Sequence, residues 1–253
     1  MPSASLPEAL RAAERWLLPG ACLECGGGVG PADPLFCPAC QGRWRALPEP
    51  QCGRCGQPAA LLASGCRICA VWPDGLDRVR SAVWLDDSAR HAVHALKYEG
   101  WHELAPELAE RMARLDWPAD VRDERSALVP VPLAAERMRT RGFNQSAKLA
   151  DALAPHLGVP VWHDVIERPR ATPSQTRLTP EQRLHNVADA FRVVEGAPSI
   201  LRGAHVILVD DVVTTAATLN ECAATLWDAG ARIISYVTFG RARAAGDAPL
   251  SRG

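Results

Sequence analysis

Near the start of the chain Leu6, Leu10, Ala13 and Leu17 recur at helical spacing and predict an amphipathic helix within residues 1–19. The period is then lost. Over residues 20–73 Gly, Pro and Cys displace any sustained apolar repeat, so this stretch cannot fold on its own apolar content and needs a metal staple. From residue 74 the pattern is that of an α/β domain. Residues 79–85 read as a strand, and 91–98 and 103–115 as helices. A strand ends in Val129-Pro130-Val131-Pro132, a helix covers 144–157, and a short strand covers 159–162. The Pro- and Arg-containing stretch 167–179 reads as an exposed loop. Residues 204–209 form a near-continuous apolar run, as a strand buried on both faces requires, and 219–229 and 232–239 supply the next helix and strand. Strands alternating with helices imply a mostly parallel sheet flanked by helices over residues 74–241, with a sparsely apolar tail, 242–253, expected to fray.

Composition narrows the picture. With 253 residues and 47% apolar content the chain can bury a sizeable core, which excludes global disorder. A formal net charge of -1 excludes a wholly basic coat for nucleic acid or membrane, so any DNA contact must use a local patch. Glu8, Arg11, Glu14 and Arg15 interrupt the first helix, which therefore lacks the apolar run of a signal peptide. No apolar segment approaches bilayer length, so a cytoplasmic protein without membrane insertion is expected. In that reducing compartment regularly spaced cysteines are metal ligands sooner than disulfides. Cys222, far from the others in an apolar helix pattern, reads as core.

Those spaced cysteines form four C-x2-C knuckles: Cys22/Cys25, Cys37/Cys40, Cys52/Cys55 and Cys66/Cys69. Each knuckle turns two thiolates toward one ion, and two knuckles complete the tetrahedral shell of a closed structural zinc site. Eight thiolates fill two such shells, giving two structural zinc ions; sequential quartets are the simplest pairing, and spacing also allows an interleaved one. Four-cysteine sets hold iron–sulfur clusters as well, which colour in the purified protein would reveal. Arg43, Arg45, Arg54 and Arg67 stand against Glu24, Asp33 and Glu49 in this module, too even a balance to point to nucleic acid by itself.

The most informative stretch follows the apolar run at 204–209. The strand delivers Asp210 and Asp211 to its carboxyl end, where ligands bind in open parallel sheets. Thr214, Thr215, Ala216, Ala217 and Thr218 then open a helix whose unpaired N–H groups and positive dipole end suit a phosphate. Ribose hydroxyls beside the carboxylates and a 5'-phosphate in the turn fit this arrangement.

The whole segment resembles the phosphoribosyl-pyrophosphate motif of type I phosphoribosyltransferases. Three further stretches narrow the resemblance to the ComF family: Ala95-Leu96-Lys97-Tyr98; Val129 to Pro132 with Arg137 and Arg141-Gly142-Phe143-Asn144-Gln145; and Arg168-x-Arg170-x-Thr172-x2-Gln175-x2-Leu178-x4-Arg183-x2-Asn186. The resemblance implies a type I phosphoribosyltransferase fold behind a double zinc-ribbon module. It puts the ribose hydroxyls on Asp210 and Asp211, the 5'-phosphate on residues 214–218, and the pyrophosphate loop at Val129, Pro130 and Val131. Lys97, Arg137 and Arg141 become candidates for pyrophosphate charge, and Arg168, Arg170, Gln175 and Arg183 fall in a hood loop over the substrate. Ala216 stands where the family usually has Gly, so the turn must tolerate a Cβ.

Two functions follow from the resemblance. One is a ComF-like protein of natural transformation that handles incoming single-stranded DNA beside a helicase-like translocase, with a magnesium-dependent phosphoribosyl-pyrophosphate site. The other is a phosphoribosyltransferase acting on an unidentified acceptor, in which magnesium offsets the pyrophosphate charge. Residues 125–186 carry nine Lys or Arg against five Asp or Glu, a local basic surplus suited to phosphates.

Overall fold

The computed structural model describes residues 20–30, 34–58, 66, 68–70, 72, 76–169, 190–214 and 216–243. The helix expected within 1–19, most of the 242–253 tail and the stretch 170–189 lie outside these residues. The chain divides into two compact units, Met1–Trp44 and Arg45–Gly253.

In the smaller unit, strands β1 (Gly20–Ala21) and β2 (Gly28–Val29) pair antiparallel around the first knuckle. The second knuckle opens the short helix α1 (Pro38–Gln41). Phe36 and Trp44 are both buried, with ring centroids 5.4 Å apart, and with Val29 they form the small apolar core of this unit's described residues.

The larger unit is built on one parallel sheet. In chain order its elements are β3 (Leu76–Trp84), α2 (Asp87–Tyr98), α3 (Ala105–Ala113), α4 (Ala119–Glu124), β4 (Arg125–Pro130), α5 (Ala135–Arg141) and α6 (Gln145–Leu157). They are followed by β5 (Ile166–Glu167), β6 (Arg192–Val193), α7 (Pro198–Leu201), β7 (His205–Val213), α8 (Ala217–Asp228) and β8 (Ile233–Arg241). The strand order is β3-β8-β7-β4, all neighbours parallel. β7 and β8 are central and almost wholly buried, which is why both are rich in apolar residues, with the run Val206–Val209 of β7 unbroken. Local chemistry marks the helix ends. Asp86 accepts from the Ala89 N–H to start α2, Asn144 accepts from the Ser146 N–H to start α6, and Gly158 ends α6 in the left-handed conformation.

Two expectations shift. The helix foreseen over 103–115 is a 3-10 turn at His102–Leu104 followed by α3, because Pro106, with no N–H to give, sits in the first turn. The strand foreseen over 159–162 is a single parallel bridge between Leu128 and Val161, since Pro160 lends the β4 edge a carbonyl but no N–H. β5 and β6 pair antiparallel, and Glu167 of β5 falls at the start of the stretch 167–179 that the sequence pattern assigns to a loop.

β3 is an edge strand, and the third knuckle covers it. The Val79 N–H donates to the Arg54 carbonyl at 2.7 Å, and the Arg54 guanidinium donates to the carbonyls of Leu76, Cys69 and Trp72 at 3.0, 2.9 and 3.2 Å. Arg241, ending β8, donates to the Cys55 carbonyl. Cys55, Cys69 and Trp72 share one apolar cluster with Leu76, Val79, Ile234 and Tyr236. The second cysteine quartet is thus part of the sheet unit's own core, and it occupies the hydrogen-bonding edge through which β3 would otherwise pair with another chain.

Candidate functional site

β7 carries Asp210 and Asp211 to the carboxyl end of the sheet, at the wall of a cavity of about 1000 Å³. Pleating sends the two carboxylates to different partners. Asp210 accepts from Ser146 Oγ at 2.8 Å, from Tyr236 Oη at 3.0 Å and from the Asp211 N–H at 2.9 Å. Asp211, 2% exposed, accepts from Gln145 Nε2 at 3.2 Å and forms an ion pair with Lys97 Nζ. Helix α2 thus delivers a cation, the first turn of α6 two neutral donors, and β8 a phenol.

This packing sets the charges. Burial foremost, then the neighbouring Asp211 charge, pushes the Asp210 carboxyl up to about 7, against the opposing pull of Lys97 and Ser146. Burial by itself lowers Lys97, but Asp211 and Asp210 outweigh it and hold the ammonium above its usual range. Burial, with Asp210 beside it, drives the Tyr236 phenol well above its ordinary value, so it stays a donor.

The turn after β7 leads into α8 with no side-chain cap hydrogen bond and no acidic residue in the first turn. Ala216 is the helix's N-cap and sits at φ 60°, in the left-handed region. Its backbone takes the glycine conformation in spite of the Cβ, at a cost of about 1–2 kcal/mol. Thr214, Ala217 and Thr218 line the cavity with it; Thr215 lies outside the described residues.

Lys97, Arg137, Arg141 and Val131 face the same cavity. Val129 and Pro130 are buried in β4 and set Val131, whose N–H donates to the Val209 carbonyl at 3.0 Å. Asn144 Nδ2 donates to the Val131 carbonyl at 3.0 Å, locking this loop to the start of α6. Arg141 donates to Gln145 Oε1 and lies 5.1 Å from the Tyr98 ring centroid. Arg168 is buried at the cavity with its guanidinium 5.1 Å from the Phe191 ring, while Arg170, Gln175 and Arg183 lie outside the described residues. Ser146 and Tyr236 were missed by the sequence reading. Gln145 lies inside the Arg141–Gln145 motif without a role assigned there, and Tyr236 carries a weak signal, a phenol among the mostly apolar residues of β8.

The cysteines pair sequentially. Cys22, Cys25, Cys37 and Cys40 converge in the smaller unit and Cys52, Cys55, Cys66 and Cys69 in the larger, each set with its sulfurs within 4.8 Å of one another. Sγ–Sγ separations of 3.9 Å (Cys25–Cys37) and 3.8 Å (Cys52–Cys69) match the edge of about 3.8 Å for a tetrahedron with zinc–sulfur bonds of about 2.3 Å. Cys55 and Cys66 stand closer, at 3.3 Å. Each quartet can hold a metal ion.

The phosphoribosyl transferase domain family matches residues 144–250. Over 223 residues, 86% of this chain and 95% of the relative, the protein is 33% identical to the DNA utilization protein YhgH of Salmonella typhimurium. The chain belongs to the ComF family. Competence protein F of Haemophilus influenzae is 28% identical over 88% of this chain and 96% of its own length, and competence protein ComFC of Bacillus subtilis 28% over 78% and 80%. This ComF-family chain carries a phosphoribosyltransferase domain, a parallel sheet flanked by helices, and two four-cysteine clusters near the N-terminus. No helix among its described residues is long and apolar enough to cross a membrane.

Proposed function

We propose that the protein binds phosphoribosyl pyrophosphate with magnesium and handles incoming single-stranded DNA in the cytosol, beside a helicase-like translocase of DNA uptake. The observation carrying the nucleotide reading is the meeting of two acids at the end of β7 with the uncapped start of α8. Asp210 and Asp211 accept the ribose 2'- and 3'-hydroxyls, the opening N–H groups of α8 take the 5'-phosphate, and Arg137 and Arg141 face the pyrophosphate. Magnesium fits as a companion of that pyrophosphate: the acids offer hard oxygens, but Asp210 is held by Ser146 and Tyr236 and Asp211 by Gln145 and the Lys97 ammonium, so they make no cage of their own. When bound, it supplies positive charge against the pyrophosphate.

DNA handling is supported by the names of the relatives, by three arginines on α5, and by Tyr98 and Trp101, exposed aromatics on which bases can stack. The two cysteine quartets hold one zinc ion each, as structural sites. A second reading, transfer of the phosphoribosyl group to an acceptor, draws support from the cavity's size. About 1000 Å³ is at the upper end of what small-molecule sites enclose, roughly 300–1000 Å³, and leaves room beside one sugar phosphate.

Calorimetry tests the site. Phosphoribosyl pyrophosphate should bind in the presence of magnesium, and Asp210→Asn combined with Asp211→Asn should weaken it by about a hundredfold or more while the melting transition persists. Equal affinity in the double variant would reject the assignment.

A further inference from the structure

Three of the four carboxylate oxygens of Asp210 and Asp211 accept hydrogen bonds from the protein, and the fourth, Asp211 Oδ2, is buried against the Lys97 ammonium. A carboxylate oxygen can accept from two donors, so what a ribose hydroxyl lacks at Asp211 is access: the residue is 2% exposed, and a neighbouring group has to move aside. Ser146, Gln145 and Tyr236 cannot do so cheaply: each is buried, and each would leave its donor without a partner. Lys97 differs on every count. Its side chain is 21% exposed, its ammonium sits on a four-carbon stem, and it stands in the last turn of α2, so Nζ can swing with the helix at rest. The cavity it would swing into is lined by Arg137 and Arg141 and contains the space a pyrophosphate would need.

We infer that Lys97 is an exchangeable counterion: it neutralises Asp211 in the empty site, leaves that carboxylate when ribose hydroxyls dock, and transfers its charge to the ligand's pyrophosphate. The inference rests on the phosphoribosyl reading above and adds a selection rule to it. A sugar bearing pyrophosphate gives the displaced ammonium a new anion. Ribose 5-phosphate does not, so it must either strand a partly buried cation or compete with it for Asp211. Lys97 is then a specificity-determining residue, separating the activated sugar from its hydrolysis product through the cost of moving one charge.

The test compares the two ligands by calorimetry in wild type and in Lys97→Met, which keeps stem length and removes the charge. Wild type should prefer phosphoribosyl pyrophosphate to ribose 5-phosphate strongly. In the variant that preference should shrink by about tenfold or more, through tighter ribose 5-phosphate binding together with weaker phosphoribosyl pyrophosphate binding. A purely structural lysine moves both affinities in the same direction, and an unchanged preference overturns the inference while leaving the nucleotide site standing. Wild type that binds neither ligand removes the site itself and the inference with it. If Lys97→Met does not fold, a wild-type crystal structure with phosphoribosyl pyrophosphate decides: Nζ on the pyrophosphate supports the exchange, and Nζ still on Asp211 refutes it.

Discussion

Asp210 shows how one residue couples stability to binding. Its carboxyl is raised from 3.8 to about 7 by burial and by Asp211, so between those values the folded chain holds a proton that the unfolded chain gives up. The stability this contributes is complete below the unfolded value and is lost as pH rises through about 7. Accepting a ribose hydroxyl needs the ionised form, so affinity for phosphoribosyl pyrophosphate should climb by roughly tenfold between pH 6 and pH 8, as read by titration calorimetry. Asp210→Asn should stabilise the ligand-free protein at pH 8, by about 1 kcal/mol, and cut binding. Binding that stays flat across this range would mean that Asp210 takes no ribose hydroxyl. The adjacent acids were legible in the sequence; the raised carboxyl was not, because it arises foremost from burial, which the packing of other elements over β7 imposes, and then from Asp211, against the pull of Lys97 and Ser146 brought by α2 and α6.

Among the elements, α5 separates two jobs that its composition runs together. No residue of this short helix is buried, so it has no apolar stripe, and periodicity offers nothing from which to foresee it. Arg137 and Arg141 line the cavity, whereas Arg139 is exposed and does not, as is Lys148 on the neighbouring α6. Nucleotide and DNA contacts should therefore be separable. Arg139→Glu with Lys148→Glu should weaken single-stranded DNA binding and flatten its salt dependence by about 1–2 in log–log slope, with phosphoribosyl pyrophosphate affinity retained. Electrophoretic shifts across a salt series would measure it. A slope equal to wild type would show that DNA lies elsewhere or does not bind.

At the scale of the whole molecule the two cysteine quartets are unequal. Among the described residues the first stands beside the small core of Val29, Phe36 and Trp44, while the second shares a core with β3 and β8 and is pinned to them by Arg54 and Arg241. Cys25→Ser should release one metal ion and leave the transferase unit's melting nearly unchanged. Cys55→Ser should cost that unit about 3 kcal/mol, or roughly 6–12 °C in melting temperature, with metal content and calorimetry read together. Equal effects from the two would contradict this asymmetry. By itself the sequence determined the knuckles, the parallel α/β pattern, the acid pair and the helix-opening turn, because each is written in contiguous residues whose spacing is their chemistry. It also carried Ala216 as a departure, and the backbone there takes the left-handed conformation that the missing glycine would have held. Only the tertiary structure decided that the cysteines pair sequentially, that the second quartet closes the sheet edge, and that Lys97, Ser146, Gln145 and Tyr236 meet at the acids. Those contacts join residues as far apart as Cys55 and Arg241. Such pairings are selected by which buried polar groups find partners once the helices close over the sheet, and no local pattern along the chain encodes that choice.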